Sequence, residues 1–390
     1  MTRRILLISP QPFFAWRGSP IRVKFNLLAL EKLGYEVDFL TLPIGTDEPA
    51  INARVIRVWN LFGSKEISIG PSPLKLWFDL LLLIRGAGLV LTNKYDGVHG
   101  TEEAGFLCWM LSKLRAAKVI YEKHSDPGSY KKDKGGVLNT LLNAYRKIEI
   151  FTANRADVVI GTGPGLCEQV LEFKPDANVH HISDIPSSLS DPGPEEISAC
   201  RNRLTLHDTS ILVTYVGSFA IYQGIDLIQQ AIPRVLSIDD RVQFVIIGGD
   251  EDEIAEFRTA IGEHPSERVT FTGKIPPDEL PPYLSASDIL MVPRKTGVNT
   301  PLKVLDYFKA GTAIVATDTI ANRLLLDDST AQLSQPNSED FADCILKLTN
   351  DVERRKGLGS NGRNKFETEY NFDVFTKKLG NAYGSIFDNQ

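Results

Sequence analysis

Apolar positions along the chain follow two alternating rhythms. Short runs rich in β-branched and aromatic side chains recur throughout. They are RILLIS, EVDFLTL, ARVIRV, DGVHG, KVIYEKH and DVVIGT in the first half, and ILVTYVG, VQFVIIGG, RVTFTG, DILMVP and AIVAT in the second. Gly, Pro, Ser or Asp bounds most of them, and a segment with helical spacing follows. That alternation predicts an α/β protein with parallel sheets covered by helices on both faces. The rhythm stops at ISDIPSSLSDPGPEE (Ile182–Glu196), which is rich in Pro, Ser and acids and reads as a linker. Two doubly wound domains are therefore expected, residues 1–185 and 186–371, facing a cleft, with ligands outside the carboxyl ends of the strands. The closing pattern, YNFDVFTKKLGNAYGSIF, is an amphipathic helix that needs a surface to pack on.

One stretch, GVNTPLKVLDYFKAGTAIVATD (Gly297–Asp318), reads as loop, helix, glycine stop and strand. Thr300 is placed to cap the helix, Pro301 suits its first position, and Leu302, Leu305 and Phe308 recur at helical spacing before Gly311. Lys303 then lies in the first turn, where the macrodipole is already positive and a cation is disfavoured by ~0.3–1 kcal/mol. An anionic ligand would make it welcome.

Composition narrows the classes. A chain of 390 residues exceeds one ordinary core, and a net charge of -6 gives no global field for nucleic acid. Cys108, Cys167, Cys200 and Cys344 form no C-x-x-C, so zinc is not expected and a reducing, cytoplasmic setting fits. The start, MTRRILLISPQPFF, lacks the long apolar region of a signal peptide, and Ile5–Ser9 reads as a buried strand. The most apolar stretch, Leu74–Asn93, is broken by Lys75, Asp79 and Arg85. It reads as a buried or half-buried helix, or as one lying on a membrane surface, with the basic loop Tyr130–Gly136 as a second membrane candidate.

Candidate chemistry clusters after the strands. In YVGSFAIYQGIDLIQQA, Gly217 and Gly224 can bring backbone close to a phosphate, or simply make a tight turn. In VIIGGDEDE the acids suit a helix start, while Gly248 can flank a nucleoside. Arg294 and Lys303 bracket Gly297, Asn299 and Thr300, and with the helix N–H groups they form a site for a diphosphate. Asp306, one turn on, can accept ribose hydroxyls. In the first half, His99 and Glu102 follow one strand, and His124 and Asp126 the next. Histidines there can donate to a substrate phosphate or hydroxyl. The loop SPQPFFAWRGSP offers Gly18 and Ser19 for close backbone approach, and Arg17 or Arg22 for an anion. G-x-S-x-G, P-loop and HExxH motifs are absent.

These residues carry a resemblance. YVGSFAIYQGIDLI, RVTFTGKIPPDELPPYLSASDILMVP and NTPLKVLDYFKAGTAIVATD, with HGTEEAG and EKHSD in the first half, resemble the family-4 retaining glycosyltransferases of the GT-B fold. A subgroup with YQG and NTPxK motifs is most similar. The resemblance implies two Rossmann-like domains and a nucleoside-diphosphate sugar as donor. It also implies a glycan or lipid-linked acceptor, as in cell-surface polysaccharide synthesis, and no metal or other cofactor. It assigns catalysis to His124, Lys303 and Arg294. It assigns donor binding to Gly18, Ser19, Gly217, Ser218, Gln223, Gly224, Gly248, Asn299, Thr300, Pro301, Leu302 and Asp306. His99, Glu102 and Asp126 fall on the acceptor and sugar side. The closing helix, 372–390, is expected to return to the first domain. The chain departs from the family at Val298, where a glutamate is usual, and at Gln223, where a basic residue is usual. A non-catalytic sugar-nucleotide-binding subunit and a sugar-nucleotide 2-epimerase on the same fold are the competing readings.

Overall fold

Both halves of the chain form all-parallel sheets in the computed structural model, which describes residues 2–16, 18–61, 63–65, 67, 72–126, 137–262, 266–296 and 300–388. The chain divides into two units, Met1–Asp184 with Phe372–Gln390, and Ile185–Asn371.

The first unit runs β1 (Arg4–Ser9), α1 (Gly18–Lys32), β2 (Glu36–Thr41), β3 (Arg54–Arg57), α2 (Pro73–Thr92), β4 (Gly97–Thr101), α3 (Ala104–Leu114), β5 (Lys118–Lys123), α4 (Val137–Arg155), β6 (Val158–Gly161), α5 (Pro164–Phe173) and β7 (Val179–His181). The sheet order is β3-β2-β1-β4-β5-β6-β7. Ile5 pairs with both Val37 and Gly97, so the order reverses on either side of β1. Such a switch point opens a crevice at the carboxyl ends of β1 and β4. Strands buried on both faces read as continuous apolar runs, which is why Ile5–Ile8 are fully covered.

The second unit runs α6 (Pro194–Leu204), β8 (Ile211–Val216), α7 (Ile225–Ile238), β9 (Val242–Ile247), α8 (Glu251–Ile261), β10 (Val269–Gly273), α9 (Pro281–Ala286), β11 (Ile289–Val292), α10 (Lys303–Ala310), β12 (Ala313–Thr317), α11 (Ile320–Arg323), β13 (Gln332–Ser334), α12 (Ser338–Asn350) and α13 (Val352–Lys365). Its order, β10-β9-β8-β11-β12-β13, puts a second switch point between β8 and β11. Val304, Leu305, Tyr307 and Phe308 of α10 are buried in the core on one face of this sheet. The polar helix α13 comes close enough to α10 that a Cβ on Gly362 would lie 2.8 Å from the Phe308 ring, and one on Gly359 2.2 Å from the Gly311 carbonyl oxygen. The last helix, α14 (Phe372–Phe387), packs on α1 of the first unit, burying Phe375, Leu379, Tyr383 and Ile386.

Two expectations need correction here. The segment read as a free linker is pinned beyond the unit boundary. Ser187 donates to Asp306 from its N–H (2.6 Å) and hydroxyl (2.9 Å), and Lys309 donates to the Ser188 carbonyl (2.9 Å). Strands β7 and β13 were not expected, because each is three residues long and too short to show a period.

Candidate functional site

Helix α10 begins at Lys303, later than the cap at Thr300 and first position at Pro301 that the sequence suggests. Leu302 already has helical dihedrals (φ -53, ψ -33) and supplies no side-chain cap. Val304 N–H donates to Pro301 and Leu305 N–H to Leu302, both at 2.9 Å, so the entry is a tight three-residue turn. Among the described residues, no carbonyl accepts from the N–H groups of Leu302 and Lys303 at the start of the helix. Gly297, Val298 and Asn299 lie outside the described residues.

The Lys303 ammonium is walled in by the glycine loops. Its Nζ donates to Gln223 Oε1 at 3.2 Å and sits 4.4 Å from the centroid of the Tyr215 ring. Among the described residues no ion pair involves it. Burial, and then the charge of Arg294, push its pKa down to about 7. Gly217 has a positive φ (149) that side chains rarely adopt, and a Cβ there would lie 2.6 Å from Lys303 Nζ and press on it. Gly248 (φ 128) would meet the Gly217 carbonyl oxygen at 2.0 Å, and Gly224 (φ 78) the Pro293 carbonyl oxygen at 1.9 Å. These glycines thus let the loops after β8, β9 and β11 converge at the switch point. Ser218 accepts the Tyr215 hydroxyl hydrogen at its carbonyl (2.8 Å), fixing the first loop. Gln223, where the family pattern has a cation, ends a single 3₁₀ turn and reaches Lys303 itself. Buried Arg294 donates from Nε to the Thr296 carbonyl (2.9 Å) and lies 5.9 Å from the Tyr222 ring, and burial lowers its pKa. The acids after Gly249 form a capping box, Asp250 with Glu253, on α8.

Asp306 is placed differently from the expectation. Its Oδ1 is taken by Ser187, so only Oδ2 is left for a ribose. Burial raises its pKa to about 6 against those two bonds. It lines a small cavity with Ser188, Asp191, Leu280 and Lys309.

In the first unit the chemistry centres on Glu122, a residue the sequence did not single out. Glu122 is fully buried at the end of β5. It accepts from Arg22 Nε (2.5 Å) and Asn26 Nδ2 (2.6 Å), and the Nε2 atoms of His99 and His124 stand at 3.3 and 3.4 Å. Arg22 also reaches Asp184 (3.0 Å) and lies 5.2 Å from the Phe375 ring of α14. Arg22 does meet an anion, but the anion is the protein's own. Burial would raise the Glu122 carboxyl; Arg22 and His124 outweigh it and hold the pKa well below the carboxylate range. For His124, burial lowers the pKa, and Glu122 more than reverses this. The His124 side chain is only 6 % exposed, and Nδ1 has no hydrogen-bond partner among the described residues.

His99 cannot face a substrate as expected. It lies within β4, fully buried, and Nδ1 is bonded to the Tyr383 hydroxyl of α14 at 2.8 Å. Glu102 follows β4 with a left-handed backbone (φ 51) and accepts from the Ser125 hydroxyl (2.9 Å). Burial raises its pKa to about 7, though nearby His124 opposes the shift. Asp126 accepts from Gln169 (3.3 Å). Gly18 and Ser19, expected in a loop, form the first turn of α1, and Arg17 lies outside the described residues. The basic loop Tyr130–Gly136 also lies outside them.

Known proteins share both the domains and the fold. Residues 23–183 match the glycosyl transferase 4-like domain, and residues 210–351 match glycosyl transferases group 1. A GDP-mannose-dependent monoacylated alpha-(1-6)-phosphatidylinositol monomannoside mannosyltransferase from Corynebacterium glutamicum is 24% identical over 49% of this chain and 52% of its own length. The match thus spans about half of that relative. Sucrose-phosphate synthase from Thermosynechococcus elongatus has a TM-score of 0.77 at 21% identity, covering 100% of both chains. Anabaena HepE, solved in complex with UDP-glucose, has a TM-score of 0.71 at 15% identity, covering 98% of this chain and 99% of that one. The two parallel-sheet units have the GT-B fold, and each carries one of these matches, the first to the glycosyl transferase 4-like domain and the second to glycosyl transferases group 1.

Proposed function

We propose that this protein transfers a sugar from a nucleoside-diphosphate sugar to a glycan or lipid-linked acceptor, with retention and without a metal. The observation that carries the reading is Lys303: a desolvated cation with no carboxylate partner among the described residues, in the first turn of a helix and against the loop of Gly217 and Gln223. A cation kept out of water beside a second cation is costly unless an anion arrives. The diphosphate of a sugar nucleotide has the charge to complete the site, and Anabaena HepE was solved with such a compound.

In transfer, the glycosidic bond to the diphosphate breaks while the sugar gains oxocarbenium character. Negative charge grows on the leaving oxygen, and preorganised donors stabilise it in a site that excludes water. Lys303, Arg294 and the N–H groups of Leu302 and Lys303 are the donors assigned to that task. An arriving diphosphate raises the Lys303 pKa from about 7 and so keeps the ammonium charged. With no enzyme nucleophile assigned, retention means attack on the face the diphosphate leaves, and the leaving phosphate oxygen takes the acceptor's proton. His124 and Glu102 in the first unit are assigned to the sugar and the acceptor. His124 brings an Nδ1 without a partner among the described residues and a charge sustained by Glu122.

Thermal stabilisation by UDP-, GDP-, ADP- and dTDP-sugars, each with and without EDTA, tests the donor site. A ligand at 100 times its dissociation constant adds about 2.7 kcal/mol. One nucleotide series should shift melting regardless of EDTA, and Lys303→Ala should abolish the shift. No shift with any sugar nucleotide overturns the reading. The anomeric configuration of the product then separates retention from inversion and from epimerisation.

A further inference from the structure

Among the described residues, helix α2 leaves one side without a partner. Its inner face, with Phe78, Leu81, Leu82, Leu89 and Val90, is buried in the core of the first unit. Its outer face carries Leu76 (63% exposed), Leu80 (46%), Ile84 (52%) and Leu91 (62%). Helical spacing puts these four in one stripe, with Ala87 and Gly88 between them, Pro73 ahead of Leu76, and no charged residue on its line. From Leu76 to Leu91 the stripe is roughly 22 Å long. Monomeric surfaces seldom leave so continuous an apolar row without a use.

The charges around the stripe say what covers it. Arg85 flanks it and lies 5.8 Å from the ring of Trp59, itself 52% exposed. At the carboxyl end, Lys94 and Lys113 are exposed, and Arg115 donates to the Asn93 carbonyl at 3.2 Å. The acid of α2, Asp79, is half-buried beside the Lys75–Glu103 pair, off the outer face. A cationic rim on a chain of net charge -6 is a local feature. A second copy meeting this face through a two-fold axis would bring like charges together. No helix among the described residues is long and apolar enough to cross a membrane. An apolar stripe with a basic rim and an interfacial tryptophan instead matches a helix lying in the headgroup layer.

We propose that the outer face of α2 docks the first unit on an anionic lipid bilayer. The docking depends on the apolar stripe and its cations and does not rest on the donor chemistry of the second unit.

The test is co-sedimentation of the full chain with vesicles of phosphatidylcholine containing about a third phosphatidylglycerol, and with phosphatidylcholine alone. The wild type should partition onto the anionic vesicles, and the partition coefficient should fall about tenfold or more in Leu80→Gln/Ile84→Gln. Arg85→Glu/Lys94→Glu should weaken it severalfold, and phosphatidylcholine alone should bind least. Both residues of the first pair are exposed, so the melting temperature of that variant should be unchanged. The proposal is overturned if the wild type stays in the supernatant, if the apolar variant binds as well as wild type, or if the two vesicle types bind equally. A concentration-dependent dimer that Leu80→Gln/Ile84→Gln dissolves would also overturn it and name a second copy as the occupant. Sugar-nucleotide stabilisation of the same variants reports separately on the donor site.

Discussion

Two buried basic clusters are built on opposite principles. Around Glu122, a guanidinium, an amide and two imidazoles converge on one carboxylate, and the charges are settled inside the protein. Around Lys303, an ammonium and a guanidinium share a desolvated loop site without an ion pair to the lysine among the described residues. The first arrangement is what a structural network needs, since a buried charge is tolerated when paired. The second is what a binding site needs, since the missing partner is left for the ligand to supply. Substitution of the two central residues should therefore separate the clusters: loss of stability at Glu122, loss of turnover at Lys303.

The largest expected effect is Glu122→Ala. It strands Arg22 and both histidines and should destabilise the first unit by about 3–5 kcal/mol, lowering its melting transition by roughly 10 °C. A fall below 2 °C, measured by calorimetry, would remove Glu122 from the centre of the network. Next comes Lys303→Met, where the two properties should move in opposite directions. Donor turnover should drop about 10²–10³-fold. Melting without ligand at pH 7 should hold or rise, because a desolvated cation is exchanged for an apolar chain of similar length. If turnover survives, the diphosphate does not rely on this ammonium. Gly217→Ala should cost about 1–3 kcal/mol, since the backbone there (φ 149) suits glycine alone. It should also weaken donor stabilisation by crowding Lys303. Equal donor stabilisation in the variant and the wild type would show that the wall around the ammonium is not tight.

Much of the second site was legible in sequence, and the reason is local. Gly217, Gly224, Gly248 and Lys303 each follow a clear strand or start a helix, so the rule that ligands sit at strand ends was enough to find them. Long, apolar β8, β9 and β11 made their own ends visible. The Glu122 network was not legible because its members are far apart: Arg22 on α1, His99 on β4, Glu122 on β5 and Tyr383 on α14. A glutamate inside YEKH reads as an ordinary strand-end polar residue until the fold buries it. His99 misled for the same reason, since position after a strand was inferred where the residue is inside one. The helix start at Lys303 was missed because Thr300 and Pro301 satisfy every cap preference, while the backbone instead enters through a tight turn whose donors are Val304 and Leu305.

The smallest effect is also the one that reads the contrast most directly, because pH acts on both clusters at once. The His124 pKa is raised in the folded protein, so its share of stability is complete below about 6.5 and is lost as pH rises through the folded value. The Glu122 pKa is lowered, so its share is complete above about 4.5 and lost only in strong acid. Lys303 has the reverse sense to His124. Its folded pKa is about 7, below its usual value, so the unfolded chain binds a proton that the folded chain sheds. The penalty for burying the ammonium is full below about pH 7 and relieved above it, and stability should rise from that term by at most about 1.4 kcal/mol per pH unit. Above pH 7 the first unit should therefore lose stability as the second gains it. Calorimetry from pH 6 to 9 should show the difference between wild type and Lys303→Met shrinking as pH rises, while the difference between wild type and His124→Gln shrinks as well, each for its own reason: Lys303 has become neutral, and His124 has lost the charge that Glu122 held. A sugar nucleotide should cancel the first trend and leave the second in place, because an anion that needs the ammonium keeps Lys303 protonated through the same range. If the ligand leaves the Lys303 trend untouched, the lysine and the diphosphate do not meet.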